Sequence, residues 1–321
     1  VKNINLFNII QKELKRVENE LIRNVSSGNS ISSDVSRYVF RSGGKRLRPA
    51  LLLLCAKHYG YNGNATIQLA AAIEFIHTAS LLHDDVVDDA TLRRGNASVN
   101  SVWGNRISIL VGDFLFAKAS AILSRYIKHD VIRMVSQTML KMVDGELLQM
   151  SRNKDHKTTE EDYIEIIDKK TADLISIACR IGATLAGGKK SEINAFSNFG
   201  KYFGIAFQII DDTLDYTSTE REFGKAIGTD LREGKLTLPL IHLLRVCTPS
   251  EQKAVYRIIE SSNPDLKYIY KLINKYNSID YAKNRAREYS EKAKMELYKL
   301  KPTEARQTLE KLSEYIIERR F

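Results

Sequence analysis

The sequence predicts an all-α protein, a single-domain bundle of roughly ten or more helices around a central cavity. Three observations predict it. Helix and turn breakers are sparse, with 17 Gly and 5 Pro in 321 residues, too few for a sandwich or barrel. Apolar residues recur at spacings of three and four along most of the chain. No segment sustains period-two alternation with β-branched enrichment. At 43% hydrophobic residues the chain can bury a large core. No low-complexity linker or composition break interrupts it, so one domain is expected over 1–321.

Residues 5–24 carry Leu6, Ile9, Ile10, Leu14, Val17 and Leu21 on one helical face. A polar connection at 25–32 leads to a short helix, "SSDVSRYVFRSG", with Ser or Asp at its start and Gly43 past its end. "RPALLLLCAKHYG" is the next helix, with Pro49 in its first turn, where a missing N–H costs nothing, and Gly60 at its end. Residues 64–88 form a helix whose small residues predict burial on most sides. A loop at 89–104 follows, then helices at 105–126, 129–151, 160–187 and 192–216. Thr158 and Thr159 ahead of Glu161 mark the start of the third of these. A polar loop spans 217–235. "LTLPLIHLLRVC" is helical despite Pro239, and the remainder gives three or four amphipathic helices.

The net charge of +10 is compatible with nucleic acid, anionic lipid or a phosphorylated small molecule as partner, although scattered lysines account for much of it. Cys55, Cys179 and Cys247 are far apart and lack CxxC spacing, which argues against zinc and a disulfide framework and for the reducing cytoplasm. No run reaches the roughly 18 apolar residues of a membrane span. The N-terminal stretch reads as an amphipathic helix, since acidic residues interrupt it too early for a signal peptide.

The chemistry concentrates in "LLHDDVVDDATLRRG". Asp84, Asp85 and Asp88 have i, i+1, i+4 spacing, which puts Asp84 and Asp88 on one helix face. Like charges so placed repel, and a hard oxygen site for Mg²⁺ offsets the repulsion. The pattern recurs in "FQIIDDTLDY", where Asp211, Asp212 and Asp215 again follow an apolar helical run. Two such clusters, each ending a buried helix, fit a metal clamp around one diphosphate. Basic residues accompany them: Lys45, Arg46 and Arg48 in the glycine-led turn "GGKRLRP", Arg93 and Arg94 after the first cluster, Lys169, Lys170 and Thr171 in "DKKTAD", and Lys225 and Lys235 in a glycine-bearing loop.

"GGKRLRP", "LLHDDVVDDATLRRG", "KKTA", "GIAFQIIDDTLDY" and "GKAIGTDLREGKLTLP", in this order, resemble the all-trans prenyl diphosphate synthases, most strongly over residues 35–245. The resemblance implies the isoprenoid synthase fold and a Mg²⁺-dependent prenyltransferase that joins isopentenyl diphosphate to an allylic diphosphate. Asp84, Asp85 and Asp88 match the first metal-binding motif and Asp211, Asp212 and Asp215 the second, Asp211 being its main ligand. About three Mg²⁺ per site are implied. Lys45, Arg48, His77 and Arg94 match positions that bind isopentenyl diphosphate. Arg93, Lys170, Lys225 and Lys235 match positions around the allylic diphosphate, and Thr171 and Gln208 match polar groups near the reacting carbons. Arg319 and Arg320 are loosely placed candidates for substrate binding. A homodimer through helices near 105–150 is also implied.

Product length follows from the helix before Asp84. Ala79 and Ser80, one turn back, are small where short-chain members carry bulky aromatics. Ile76, Ile73 and Ala72 come next. A turn advances about 5.4 Å, comparable to one extended isoprene unit. A tunnel open past two turns admits a chain well beyond farnesyl, so a long-chain product is expected, octaprenyl in particular, within a heptaprenyl to decaprenyl range. Met134, Met139 or Met142 would form its floor. The product would be a quinone side chain, hydrophobic enough for release to need a membrane or detergent.

Rival readings fit less well. A terpene cyclase carries an Asn/Asp, Ser/Thr, Glu second motif that "IIDDTLDY" lacks. A silent partner subunit would have lost one aspartate motif. A nucleic-acid binder would need basic stripes with exposed aromatics, and clustered aspartates would repel phosphate.

Overall fold

The computed structural model describes residues 6–26, 29–126, 129–217, 228–261 and 265–319. These are helical apart from their connections and one two-stranded ribbon. The chain divides into two compact units. One comprises Val1–Gln137, Leu174–Gly200 and Glu296–Leu312, the other Thr138–Asp173, Lys201–Met295 and Ser313–Phe321.

The first unit is organised on α4 (Asn64–Val87), which packs against α1 (Gln11–Val25), α3 (Leu47–Lys57) and α6 (Asn105–Tyr126). Ile73, Phe75, Ile76 and Ala79 of α4 are wholly buried, as the run of small and apolar residues requires. α2 (Ser30–Arg41) begins earlier than its sequence pattern suggests, because the Asn29 side chain accepts the Ile31 N–H. A further helix, α9 (Asp173–Leu185), lies close on α3: a Cβ at Gly182 would sit 2.2 Å from the Leu52 carbonyl oxygen.

The expected loop 89–104 holds more structure than expected. β1 (Leu92–Arg93) and β2 (Asn96–Ala97) form an antiparallel ribbon whose turn, Arg94–Gly95, has φ of 53° and 76°. Two left-handed residues make the turn that matches strand twist. Strands of two residues are too short to show alternation, so the sequence concealed them. A short helix, α5 (Val99–Trp103), follows.

In the second unit, part of α7 (His129–Arg152) precedes α8 (Glu160–Ile167). The latter starts at a reciprocal cap between Thr159 and Asp162, not Glu161. The helix expected over 160–187 is interrupted: Asp168–Ala172 winds as a π-helical turn before α9 resumes. Helix α10 (Lys190–Thr217) supplies residues to both units. After α11 (Thr229–Arg232), α12 (Leu238–Val246) has Pro239 in its first turn, where it breaks nothing. α13 (Pro249–Glu260), α14 (Leu266–Lys275), α15 (Ser278–Leu297) and α16 (Glu304–Glu318) complete the chain. Ile167, Ile209, Leu214, Leu238, Leu243, Val255 and Ile269 form the unit's core.

Two helices, α4 and α6, are long and apolar enough to cross a membrane by length and composition, contrary to the expectation of no such run. Interspersed Ser, Thr and Gly hid them from a strict count of apolar residues. In α4 that stretch is mostly buried inside the protein, whereas α6 leaves Ile109 and Leu110 exposed.

Candidate active site

In the first unit, α4 ends in Asp84 and Asp85, with Asp88 as its C-cap. Asp85 is 2% exposed, and the guanidinium of Arg93 closes on one of its oxygens, with Nε at 2.8 Å. The ribbon delivers that arginine. Asp84 and Asp88 are more open. Arg94, next in the turn, donates to the Gly43 carbonyl, which ties the ribbon to the glycine-led turn. A side chain at Gly44 would meet Arg94 Nη1 at 2.8 Å, so the glycine permits this approach. Lys45 is exposed and Arg48 half-buried at the start of α3.

His77 belongs to the same surroundings. Burial, reinforced by Arg48, Arg94, Arg93 and Arg46, holds its imidazole well below the ordinary range. The imidazole therefore stays neutral beside these arginines. Arg46 itself turns inward: its Nη1 lies 3.1 Å from Glu74, both are buried, and its Nη2 donates to the Phe40 carbonyl. Sequence reasoning placed Arg46 in the motif but missed Glu74, which sits in a run that reads as core.

In the second unit, a cleft of about 100 Å³ is lined by residues of α7, α8, the π turn, α10 and the segment after α11. Lys170 and Thr171 lie in the π turn. Gly145 of α7 admits that turn: a Cβ there would be 2.9 Å from the Lys169 Cβ and 3.0 Å from the Lys170 nitrogen. Lys170 Nζ pairs with Glu146 and donates to Gln149 at 2.9 Å. Thr171 Oγ1 donates to Gln208 Oε1 at 2.8 Å, and Gln208 Nε2 donates to Asp212 Oδ1 at 2.7 Å. The Tyr163 hydroxyl donates to Asp212 Oδ2 at 2.6 Å.

The second aspartate cluster divides three ways. Asp211 accepts from Arg319 at 3.2 Å, and that guanidinium also lies over the Phe207 ring. Asp212 is buried. Asp215 accepts the Thr229 and Asp230 backbone N–H groups and so caps α11. Burial, with Asp211 and Asp215 nearby, pushes Asp212 up to about 7 against the pull of Tyr163 and Gln208. Burial likewise raises Asp230 well above the carboxylate range, with Asp212 and Asp215 adding to the rise and Lys235 opposing it. Lys235 is itself buried and pairs with Glu233 at 2.7 Å.

Crowded carboxylates whose repulsion goes unrelieved suit a hard divalent cation, and all-oxygen donors suit magnesium. Among the described residues, no three His, Cys, Asp or Glu side chains converge as a metal cage. Arg93 engages Asp85, Arg319 engages Asp211, and the N-terminus of α11 engages Asp215.

Tyr163, Asp230 and Gln149 line the cleft and were missed by sequence reasoning, as was Glu146, the partner of Lys170. Tyr163 reads as a core aromatic, and Asp230 lies in a stretch read as polar loop. Lys225 and Arg320 lie outside the described residues. On α4, Ala79, Ile76 and Ile73 are wholly buried, while Ser80 is half-buried with its hydroxyl on the His77 carbonyl. Met134, Met139 and Met142 are half-buried on α7.

A family model described as polyprenyl synthetase matches residues 29–276. The chain is 36% identical over 310 residues to the octaprenyl diphosphate synthase of Escherichia coli K12, covering 96% of each. It is 34% identical to heptaprenyl diphosphate synthase component 2 of Bacillus subtilis, over 98% of this chain and 90% of the relative. Its structure is similar to a polyprenyl synthase from Caulobacter crescentus complexed with calcium and isoprenyl diphosphate, with a TM-score of 0.93, 34% identity and coverage of 98% and 97%.

Proposed function

The chain belongs to the polyprenyl synthetase family and is a magnesium-dependent trans-prenyltransferase, and from that premise we propose that it extends farnesyl or geranylgeranyl diphosphate with isopentenyl diphosphate to octaprenyl diphosphate. The cleft of the second unit carries the reading. It gathers Lys170, Lys235, Asp212 and Asp230 beside the Thr171–Gln208 pair, and no Ser, Cys or His lines it. Such a site is equipped to manage charge.

The proposed ligands are Asp84, Asp85, Asp88, Asp211, Asp212 and Asp215, holding about three ions. Magnesium, when bound, supplies neutralisation of the diphosphate leaving group. Lys170, Lys225, Lys235 and Arg93 add positive charge around that diphosphate. The allylic C–O bond breaks and its electron pair leaves with diphosphate. Thr171 and Gln208 present oxygens to the carbon left electron-poor. Lys45, Arg48, His77 and Arg94 hold isopentenyl diphosphate, whose double bond attacks that carbon. The adjacent carbon then gives up its proton to the released diphosphate.

Small residues at Ala79 and Ser80 support a long product, with Ile76 and Ile73 as the next candidates to limit it. The exposed apolar residues Ile109 and Leu110 of α6, and Leu140, Val143 and Leu147 of α7, support a homodimer. The three free thiols support a cytoplasmic site, and an octaprenyl product for quinone side chains implies passing contact with a membrane on release. Incubation with farnesyl diphosphate, labelled isopentenyl diphosphate and Mg²⁺, followed by dephosphorylation and chromatography, tests this. A ladder ending at octaprenyl is expected. A stop at geranylgeranyl would assign the limit to Ile76 or Ile73. No elongation, even with detergent, would favour the second reading, a subunit that needs a partner, to which the likeness to component 2 of the Bacillus enzyme lends support.

A further inference from the structure

One chain of hydrogen bonds in the cleft has a polarity that can be read. Thr171 Oγ1 and Gln208 Oε1 are 2.8 Å apart, Gln208 Nε2 and Asp212 Oδ1 are 2.7 Å apart, and Tyr163 OH and Asp212 Oδ2 are 2.6 Å apart. An amide has one acceptor end and one donor end, and its orientation follows from its neighbours. The Asp212 carboxylate, ionised as a metal ligand must be, only accepts. Asp212 therefore compels the NH₂ end of Gln208 to face it, and the carbonyl end of Gln208 faces Thr171. That carbonyl in turn takes the Thr171 hydroxyl hydrogen. Tyr163, buried in the unit's core, satisfies the other Asp212 oxygen and holds the carboxylate in place.

The consequence lies at the end of the chain. With its hydrogen committed to Gln208, Thr171 turns only oxygen lone pairs to the rest of its surroundings. Were the amide reversed, Gln208 would donate to Thr171, and the threonine hydrogen would be free to point at the substrate. The first arrangement favours positive charge beside Thr171 and the second opposes it.

We propose that Tyr163 and Asp212 are positioning residues that fix the Gln208 amide so that Thr171 presents its oxygen, and not its hydrogen, to the allylic carbon. The inference rests on the prenyltransferase reading above and assigns a positioning part in it to a tyrosine that acts through Asp212 and Gln208. The Asp212 carboxylate is the pivot of the relay whatever further contact it makes with metal.

The test is a set of variants assayed for elongation of farnesyl diphosphate. Tyr163→Phe keeps the ring and removes one hydrogen bond to a charged acceptor, and kcat should fall about tenfold with the KM for isopentenyl diphosphate unchanged. In a Thr171→Val background, Tyr163→Phe should cost nothing further, because no hydroxyl remains to be oriented. In a Thr171→Ser background the full cost should return. Mg²⁺ with inorganic pyrophosphate should bind Tyr163→Phe as it binds the parent, by calorimetry. Additive losses with Thr171→Val, an unchanged kcat, or weakened Mg²⁺–pyrophosphate binding would each overturn the relay. If Tyr163→Phe does not fold, Tyr163→Met, which removes the hydroxyl in a flexible apolar side chain, carries the same comparison. A parent enzyme that elongates no allylic primer would instead refute the reading on which the relay rests.

Discussion

The two aspartate clusters have the same spacing in sequence and opposite surroundings in the structure. In both, the middle residue is buried, and in the second cluster Asp215 is buried with it. Asp85 is met there by a full charge, the Arg93 guanidinium, whereas Asp212 is met by neutral donors, Tyr163 and Gln208. An arginine cancels a buried charge outright. Neutral donors only solvate it, so Asp212 is left pushed up to about 7. A repeated motif therefore need not mean a repeated environment: Asp85 meets an ion partner within the protein, and Asp212 meets neutral donors.

Activity offers the coarsest way to break this comparison. Asp84→Ala and Asp211→Ala remove proposed ligands from either cluster, and each should lower isopentenyl incorporation about a thousandfold, the equivalent of several kcal/mol. Tolerance of one loss and not the other would show that only one cluster holds metal. Stability comes next. Arg93→Met strands a buried carboxylate and should cost about 3–5 kcal/mol in urea unfolding, against about 1–3 kcal/mol for Tyr163→Phe. Equal costs would mean that the two middle aspartates are held alike after all.

The finest distinction is in pH. His77, in the first unit, is held below its unfolded value of 6.5, so the unfolded chain binds its proton first. Its contribution is complete above pH 6.5 and declines as pH falls below that value. Asp212 is raised from 3.8 to about 7, so the folded chain holds the proton across that window. Its contribution is lost as pH rises from 3.8 towards 7. Each group contributes a slope of about 1.4 kcal/mol per pH unit within its window, of opposite sign. In the metal-free protein the two slopes oppose each other where the windows overlap, so unfolding in pH steps separates them when one group is removed. His77→Gln should remove the acid-side loss and Asp212→Asn the loss on rising pH. A profile that neither substitution alters would dissolve the contrast.

Much of this was legible in the sequence. The all-α class followed from sparse breakers and helical spacing, and both clusters were visible as short runs of like charge. What stayed hidden was hidden for physical reasons. The Arg94–Gly95 turn joins strands of two residues, below the length at which alternation can be seen. Glu74 stands in an apolar helix and Tyr163 on the buried face of an amphipathic one, where each looks like packing, and their partners Arg46 and Asp212 are remote in sequence. Asp230 gains its significance only because the chain folds its N–H group onto Asp215.

The π turn at Asp168–Ala172 also bears on angular register. Tyr163 and Thr171 are eight residues apart, and in an unbroken α-helix, at about 100° per residue, they would diverge by roughly 80°. A π turn takes up an additional residue and closes most of that angle. Both side chains thus reach the same cleft from one continuous segment. The apolar pattern hardly registers the change, since it only exchanges a spacing of three for one of four. The wider turn works as a one-residue gear shift: it leaves the helix's path and its buried face intact while rotating one hydroxyl into line.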